Sequence, residues 1–292
     1  MIRGFDDISN DLINEICDNY EDNHDFESLI NNYSYIDYYV LYSILYSTGK
    51  YNKEIYKYIC QGSINEDKIL IISDTHYGSR YENIKYTDSM FEFAINNGIH
   101  IILHGGDIIE SNVKGHSNVS NVIKQANYFI ERYPSDNSIN TYAILGNHDF
   151  LAINKDKKVK DILSSRDDIN ILGFKKSYFD WCGTIISLKH EIEKYKLLLP
   201  SHAEYLSFKG HSHFYHIAQE KKGKSEKIYI PSMCNDPLPY LSSKMYLNMN
   251  NIKVRPGFLV AKMDNENMII DNYSFTHKRI VKENELVKVL KK

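Results

Sequence analysis

The stretch Lys68-Ile69-Leu70-Ile71-Ile72-Ser73-Asp74-Thr75-His76 decides how this chain reads. A short apolar run bounded by polar residues reads as a strand, and here it ends directly on a carboxylate and an imidazole two residues apart. The same arrangement recurs downstream at Gly106-Asp107, Gly146-Asn147-His148-Asp149, His190 and Gly210-His211-Ser212-His213. Each of these blocks also follows a short apolar run. Oxygen and imidazole donors therefore collect at strand ends, where open α/β sheets place their ligand sites, and no thiolate is among them.

Working outward, strand and helix patterns alternate from Lys68 onward, which predicts an α/β domain. Strands are expected at 68–73, 99–104, 141–145, 183–188, 205–209, 227–230, 257–263 and 268–273, and helices at 86–97, 118–133 and 156–164. The basic tail 278–292 interleaves Glu283 and Glu285 with its lysines and reads as a solvated face.

Over residues 1 to about 62 the pattern is helical. Ile8, Leu12, Ile16 and Tyr20 recur at four-residue spacing and describe one apolar face. Ser34-Tyr35-Ile36-Asp37 has the form of a capping box, and Gly49 suits the stop of the helix it opens. That helix carries Tyr35, Ile36, Tyr38, Tyr39, Val40, Leu41, Ile44, Leu45 and Tyr46 nearly all round, so it wants burial on several sides. Core packing explains the tyrosines better than base stacking, because they recur at helical spacing. The surrounding acids, from Asp6 to Glu54, repel phosphate backbones.

At 292 residues, with 42% hydrophobic and 25% charged residues, the chain has room for one sizeable catalytic domain and a small appendage. A formal net charge of -3 gives no global attraction for polyanions, so nucleic-acid binding requires a local groove. Cys17, Cys60, Cys182 and Cys234 are too scattered for a paired-spacing metal motif or a disulfide framework, which fits a reducing compartment. The start of the sequence lacks the apolar core of a signal peptide, and no apolar stretch reaches the roughly 20 residues needed to span a bilayer. A cytoplasmic protein without membrane association is expected.

Two divalent ions about 3.5 to 4 Å apart clamp the attacking and leaving oxygens of a phosphoryl displacement and lower the pKa of a bound water. Such a pair needs a bridging carboxylate. Asp107 suits that role because Gly105 and Gly106 let the backbone turn tightly. Asp74 and His76, two apart on an extended segment, are expected to project to one side and grip one ion, and the same holds for His211 and His213. The donor mix suits Mn²⁺, Fe or Zn²⁺ without choosing among them. His148 is placed to touch the phosphoryl group and protonate the leaving oxygen, while Asp149 orients that imidazole or caps the next helix.

An isolated Asp-x-His or His-x-His pair seldom marks a metal site, but five blocks in the required order do. A lone His such as His190 is often a surface or core residue, and His202 competes for its place. His190 is preferred because it terminates a predicted strand. His104 and His116 suit a substrate contact or a hydrogen-bonded structural role. Glu110 suits a partner for a ligating His or an acid at a helix start. His24, His100, His216 and His277 carry no assigned role.

The order Asp-x-His, Gly-Asp, Gly-Asn-His-Asp, His, Gly-His-x-His resembles the calcineurin-like metallophosphoesterase superfamily over roughly 68–273. The resemblance implies a four-layer α/β/β/α sandwich with a small N-terminal all-helical domain. It also implies one metal on Asp74, His76, Asp107 and His213 and a second on Asp107, Asn147, His190 and His211, with His148 contacting the substrate phosphate; His148 and Asp149 are the catalytic candidates. The protein phosphatases of that superfamily follow their bridging Asp with Asp-Arg-Gly and carry Glu after Asn-His. Here Ile108-Ile109-Glu110-Ser111 follows Asp107, and Asp149 follows His148. The Ser73 to Gly78 run and Glu110 are more similar to the bacterial and phage phosphodiesterase and repair-nuclease branch, although those nucleases carry Asp at the Glu110 position and a longer C-terminal region.

The expectation is thus an N-terminal helical domain over 1–64, acting as lid, adaptor or packing module, and a metallophosphoesterase domain over 65–292. The expected activity is that of a binuclear phosphodiesterase on a nucleotide or nucleic-acid phosphodiester, by attack of a metal-bound hydroxide with His148 assisting the leaving group. The alternatives are a phosphomonoesterase and a non-catalytic, metal-stabilised module that binds a protein partner through the N-terminal helices.

Overall fold

The computed structural model describes residues 8–36, 40–41, 44–45, 48, 50, 63–111, 115–182, 184–190, 205–219, 226–235, 255–265, 267–276 and 279–289. Two sheets stack face to face. The first has seven strands. Its parallel half holds β2 (Lys68–Ile72), β3 (Ile101–His104), β4 (Asn140–Leu145) and β5 (Ile169–Phe174). Antiparallel β11 (Gly257–Asp264), β12 (Asn267–Thr276) and β13 (Arg279–Val289) extend it on the β2 side. The second sheet has six strands in the order β1 (Ser63–Ile64), β6 (Lys176–Trp181), β7 (Thr184–Lys189), β8 (Tyr205–Lys209), β10 (Glu226–Tyr229) and β9 (His216–Gln219).

Side-chain alternation along the strands builds the layers. In β2, Ile69 and Ile71 point between the sheets while Leu70 and Ile72 point to the opposite face. Strand β11 does the same with Leu259 and Ala261 against Phe258 and Val260. Both faces of these strands are buried, which is why they read as unbroken apolar runs. Between the sheets Trp181, Phe179, Ile186, Leu188, Leu206 and Phe208 interdigitate with the β2 and β11 residues. On the outer face of the seven-stranded sheet lie α3 (Ile84–Asn96), α4 (Val122–Arg132), α5 (Asn147–Lys155) and α6 (Lys158–Leu163), through residues such as Met90, Phe91, Ala126, Phe129 and Val159.

The outer face of the six-stranded sheet is covered from the N-terminus. Helices α1 (Asn10–Asn23) and α2 (Phe26–Asn32) share a core of Ile16, Cys17, Tyr20, Phe26, Leu29, Leu41, Ile44 and Leu45 with Tyr178 of β6 and Ile185 of β7. The N-terminal helices thus supply the fourth layer of the α/β/β/α sandwich. The apolar face expected on α1 is present, with Ile8, Ile16 and Tyr20 buried and Leu12 packed beside them. Of the second expected N-terminal helix, Val40, Leu41, Ile44 and Leu45 are described and buried, whereas Asp37, Tyr38, Tyr39, Tyr46 and Gly49 lie outside the described residues. Among the described residues no helix is long and apolar enough to cross a membrane.

Three features depart from the pattern expected. Ser63 and Ile64 form a short strand beside β6 although the helical domain was expected to extend through residue 64. Strands β5, β6 and β9 occupy stretches to which no element was assigned. The tail is largely exposed over its described residues, as expected, but it also pairs along β12 as β13, an edge strand whose Lys282, Glu283, Asn284 and Glu285 are exposed.

Candidate metal centre

The donor blocks meet at the C-terminal ends of parallel strands from both sheets. Asp74 and His76 follow β2, Asp107 follows β3 and Asn147 follows β4. From the other sheet, His190 follows β7, and His211 and His213 follow β8. The loops are tied to one another. The Asp74 amide donates to the Gly106 carbonyl (2.9 Å), the His76 amide to the Asp107 carbonyl (3.1 Å) and the Gly210 amide to the Lys189 carbonyl (2.9 Å). The His211 amide donates to Asp74 Oδ2 at 3.0 Å and thereby joins the two sheets.

The local backbone is not the extended one expected. Asp74, His76, Asp107, His211 and His213 all sit at positive φ, between 46° and 70°. Each costs about 1–3 kcal/mol relative to ordinary conformations, and such strain gathers where a site needs it. The left-handed residues, rather than pleat alternation, turn Asp74 and His76, and likewise His211 and His213, toward a common centre. Glycine makes the close approach possible. A Cβ on Gly106, itself at φ 95°, would stand 2.7 Å from His190 Nδ1.

All seven candidate ligands come together. Asp107 Oδ2 lies 3.0 Å from His190 Nε2 and 3.9 Å from His76 Nε2. Asp74 Oδ1 lies 3.2 Å from His213 Nε2 and 3.9 Å from His76 Nε2. Asn147 Oδ1 is 3.1 Å from His190 Nε2. His190 Nδ1 donates to the Gly105 carbonyl at 2.6 Å, which turns Nε2 toward Asp107. Among the described residues, donor atoms within 4.8 Å of one another form three groups: Asp107, His190 and His211; His76, Asp107 and His148; and His76, His213 and Cys234. Asp107 belongs to two of them. His202 lies outside the described residues.

The electrostatics follow from packing carboxylates and imidazoles together out of water. Burial pushes the carboxyls of Asp74 and Asp107 up, but the neighbouring imidazoles outweigh it and hold both well below the usual range. Burial pushes His76 and His190 down, yet the adjacent carboxylates raise both to about 9. His213 is raised well above its ordinary value by Asp74, against its burial. Asp74 Oδ1 and His76 Nε2 are buried without a hydrogen bond. Buried polar atoms in that condition are costly, and a divalent cation is the partner this donor set fits.

Glu110 explains how His76 is aimed. Its Oε2 lies 3.0 Å from His76 Nδ1, so the opposite nitrogen faces Asp74 and Asp107. Burial favours the neutral carboxyl, but His76 keeps Glu110 below its ordinary value. His148 donates from Nδ1 to the Glu110 carbonyl at 2.8 Å, and its ring meets that of His76 edge-on at 4.7 Å. Burial and the charge on His76 lower its pKa.

Asp149 does not orient the imidazole. Its carboxylate accepts from the amides of Gly146 (2.8 Å), Ile108 (3.1 Å) and Ile109 (3.0 Å), capping α5 and fastening the Asp107 loop to it. His104 is structural. Nδ1 accepts from the Gly106 amide, Nε2 faces the Thr75 hydroxyl at 3.0 Å, and burial lowers the pKa to about 4. Cys234, read from sequence only as an indicator of compartment, stands 3.9 Å from His213 Nδ1. Its position shortly after a predicted strand is the signal that would have found it.

Over residues 67–251, most of the chain, the sequence matches the calcineurin-like phosphoesterase family. The chain belongs to that family. Among solved structures, Vps29 of Entamoeba histolytica complexed with zinc is 12% identical, with 75% of this chain and 98% of that one covered and a TM-score of 0.41. A predicted phosphoesterase of Streptococcus pneumoniae is 13% identical over 76% and 98%, with a TM-score of 0.38. An archaeal phosphodiesterase is 17% identical over 76% and 99%, with a TM-score of 0.40. No curated protein matches the sequence. As a calcineurin-like phosphoesterase, the chain carries a donor cluster of the kind that holds divalent metal.

Proposed function

We propose that this calcineurin-like phosphoesterase is a cytoplasmic, metal-dependent phosphodiesterase acting on a nucleotide or nucleic-acid phosphodiester. Asp74, His76, Asp107 and His213 hold one divalent ion, and Asp107, Asn147, His190 and His211 hold the other. The observation that carries this reading is Asp107, whose carboxylate is common to two donor groups and within 4 Å of imidazoles from both sheets. The preference for diesters rests on the Ser73 to Gly78 run and on Glu110 standing where protein phosphatases have a different signature.

When bound, divalent cations there supply Lewis-acid polarisation of phosphoryl oxygens and acidify water. The chain's own residues do the rest. Glu110 fixes the His76 ring, and the Gly105 carbonyl fixes His190. His148, pinned through Nδ1, is the group placed to hand a proton to the leaving oxygen of the ester. Asp149 acts indirectly, by holding the loop that presents Asp107. The segment 1–64 serves as a packing module of the sandwich, with 65–292 as the phosphoesterase domain.

The test is hydrolysis of bis-p-nitrophenyl phosphate by Mn²⁺-reconstituted protein. Turnover by the wild type that falls to background in Asp107→Asn supports the proposal. A metal-loaded chain inert toward the diester and active on p-nitrophenyl phosphate is a phosphomonoesterase instead.

A further inference from the structure

Beside the donor cluster lies an aromatic corner in which Phe174 packs against the core while the ring it meets, Phe150, belongs to no core cluster. Phe150 and Leu151 are 43% and 46% exposed, two of the five large apolar side chains found exposed among the described residues. Single exposed apolar residues are ordinary on any surface. This pair differs in its place. Both lie on α5, three and four residues beyond Asn147, so they share its helix face and stand one turn from it.

The Phe150 ring meets that of Phe174 at a centroid distance of 4.5 Å and a tilt of 46°. Phe174 ends β5 opposite Leu145, the residue just before Gly146 and Asn147. Lys175 follows in a left-handed conformation, φ 67°, with its Nζ 5.4 Å from the Phe174 ring centroid. Its backbone is anchored on both sides, with the amide donating to the Leu145 carbonyl (2.8 Å) and the carbonyl accepting from the His190 amide (2.9 Å). Phe174 and the Lys175 backbone are therefore set against the strand ends that deliver Asn147 and His190.

We propose that Phe150, backed by Phe174 and flanked by Lys175, is a stacking platform for the base of a nucleotide whose phosphate sits at the donor cluster. A flat, half-exposed ring beside a positive charge, one helical turn from a phosphate-binding site, matches what a nucleoside phosphate presents. It offers a π face for the base and a cation for its anionic neighbours. Stacking of this kind tolerates any base, so the corner selects nucleotides as a class. The inference rests on the phosphodiesterase reading for its context, but its test is a binding measurement that does not depend on turnover.

Metal-loaded full-length protein is titrated with adenosine 5′-monophosphate and with ribose 5-phosphate, which share the sugar phosphate and differ in the base. The wild type is expected to bind the nucleotide at least about fivefold more tightly, the lower end of what a stacked base contributes. Phe150→Leu, which keeps apolar bulk and loses the π face, is expected to abolish that preference by weakening the nucleotide alone. Phe150→Trp is expected to keep it. Since Trp181 is the sole native tryptophan and fully buried, emission of the introduced indole should respond to the nucleotide and not to the sugar phosphate.

Equal affinities in the wild type, or a Phe150→Leu variant that weakens both ligands alike, would overturn the platform. A chain that discriminates the two ligands but hydrolyses no diester keeps the platform and loses the proposed reaction. The converse result loses the platform and leaves the reaction standing.

Discussion

At the scale of single residues, the convergence of the candidate donors was legible because divalent coordination would restrict residue type so strongly. Asp74, His76, Asp107, Asn147, His190, His211 and His213 were named from sequence, and all converge within the cluster. Their backbone conformation was not legible. Nothing in an Asp-x-His pair announces that both residues sit at positive φ, so an extended geometry was expected where left-handed turns are found. The role of Glu110 was left open between two readings, and the 3.0 Å approach to His76 Nδ1 decides between them. Glu110→Gln, which removes the charge and keeps the shape, should weaken Mn²⁺ affinity about 10- to 100-fold, as loss of such a partner does elsewhere. Calorimetric titration checks this. An unchanged affinity would mean the carboxylate does not act through His76.

Among the elements, β2 and β11 were legible as unbroken apolar runs buried on both faces, whereas β6, buried on both faces through Tyr178 and Phe179, was missed. Those missed carry mixed signals. In β5 the apolar run is interrupted by Gly173, beside a register shift between Ala143 and Ile144, and glycine within a strand reads as a break. Strand β13 carries the polar run Lys282-Glu283-Asn284-Glu285 on an open edge, so only its pairing with β12 reveals it. The helix α5 was hidden because it begins inside a donor block, with Asn147 as its first residue. Helix α1 was legible by its apolar periodicity and α2 was not singled out, whereas their docking on Tyr178 and Ile185 is a tertiary fact that no local pattern carries. Leu41 is fully buried in that core, and Leu41→Ala should cost about 2–5 kcal/mol of stability. Urea denaturation of the full chain measures it, and a loss near zero would detach the helices from the cooperative fold.

Across the whole molecule, two sheets deliver opposing halves of one donor cluster, and the charge within it is balanced by protons or by cations. In the metal-free chain His76 and His190 are raised from 6.5 to about 9. Their protons contribute stability that is fully present below pH 6.5 and is lost as pH rises through about 9. Cations displace those protons, so metal affinity must rise with pH across the same window. Calorimetric titration of the metal-free protein with Mn²⁺ between pH 6.5 and 9, in buffers of different ionisation enthalpy, tests the shared donor centre most directly. Two ions per chain are expected to bind, with proton release and an affinity that strengthens as pH rises. An absence of saturable binding, or binding that ignores pH and releases no protons, would contradict such a centre.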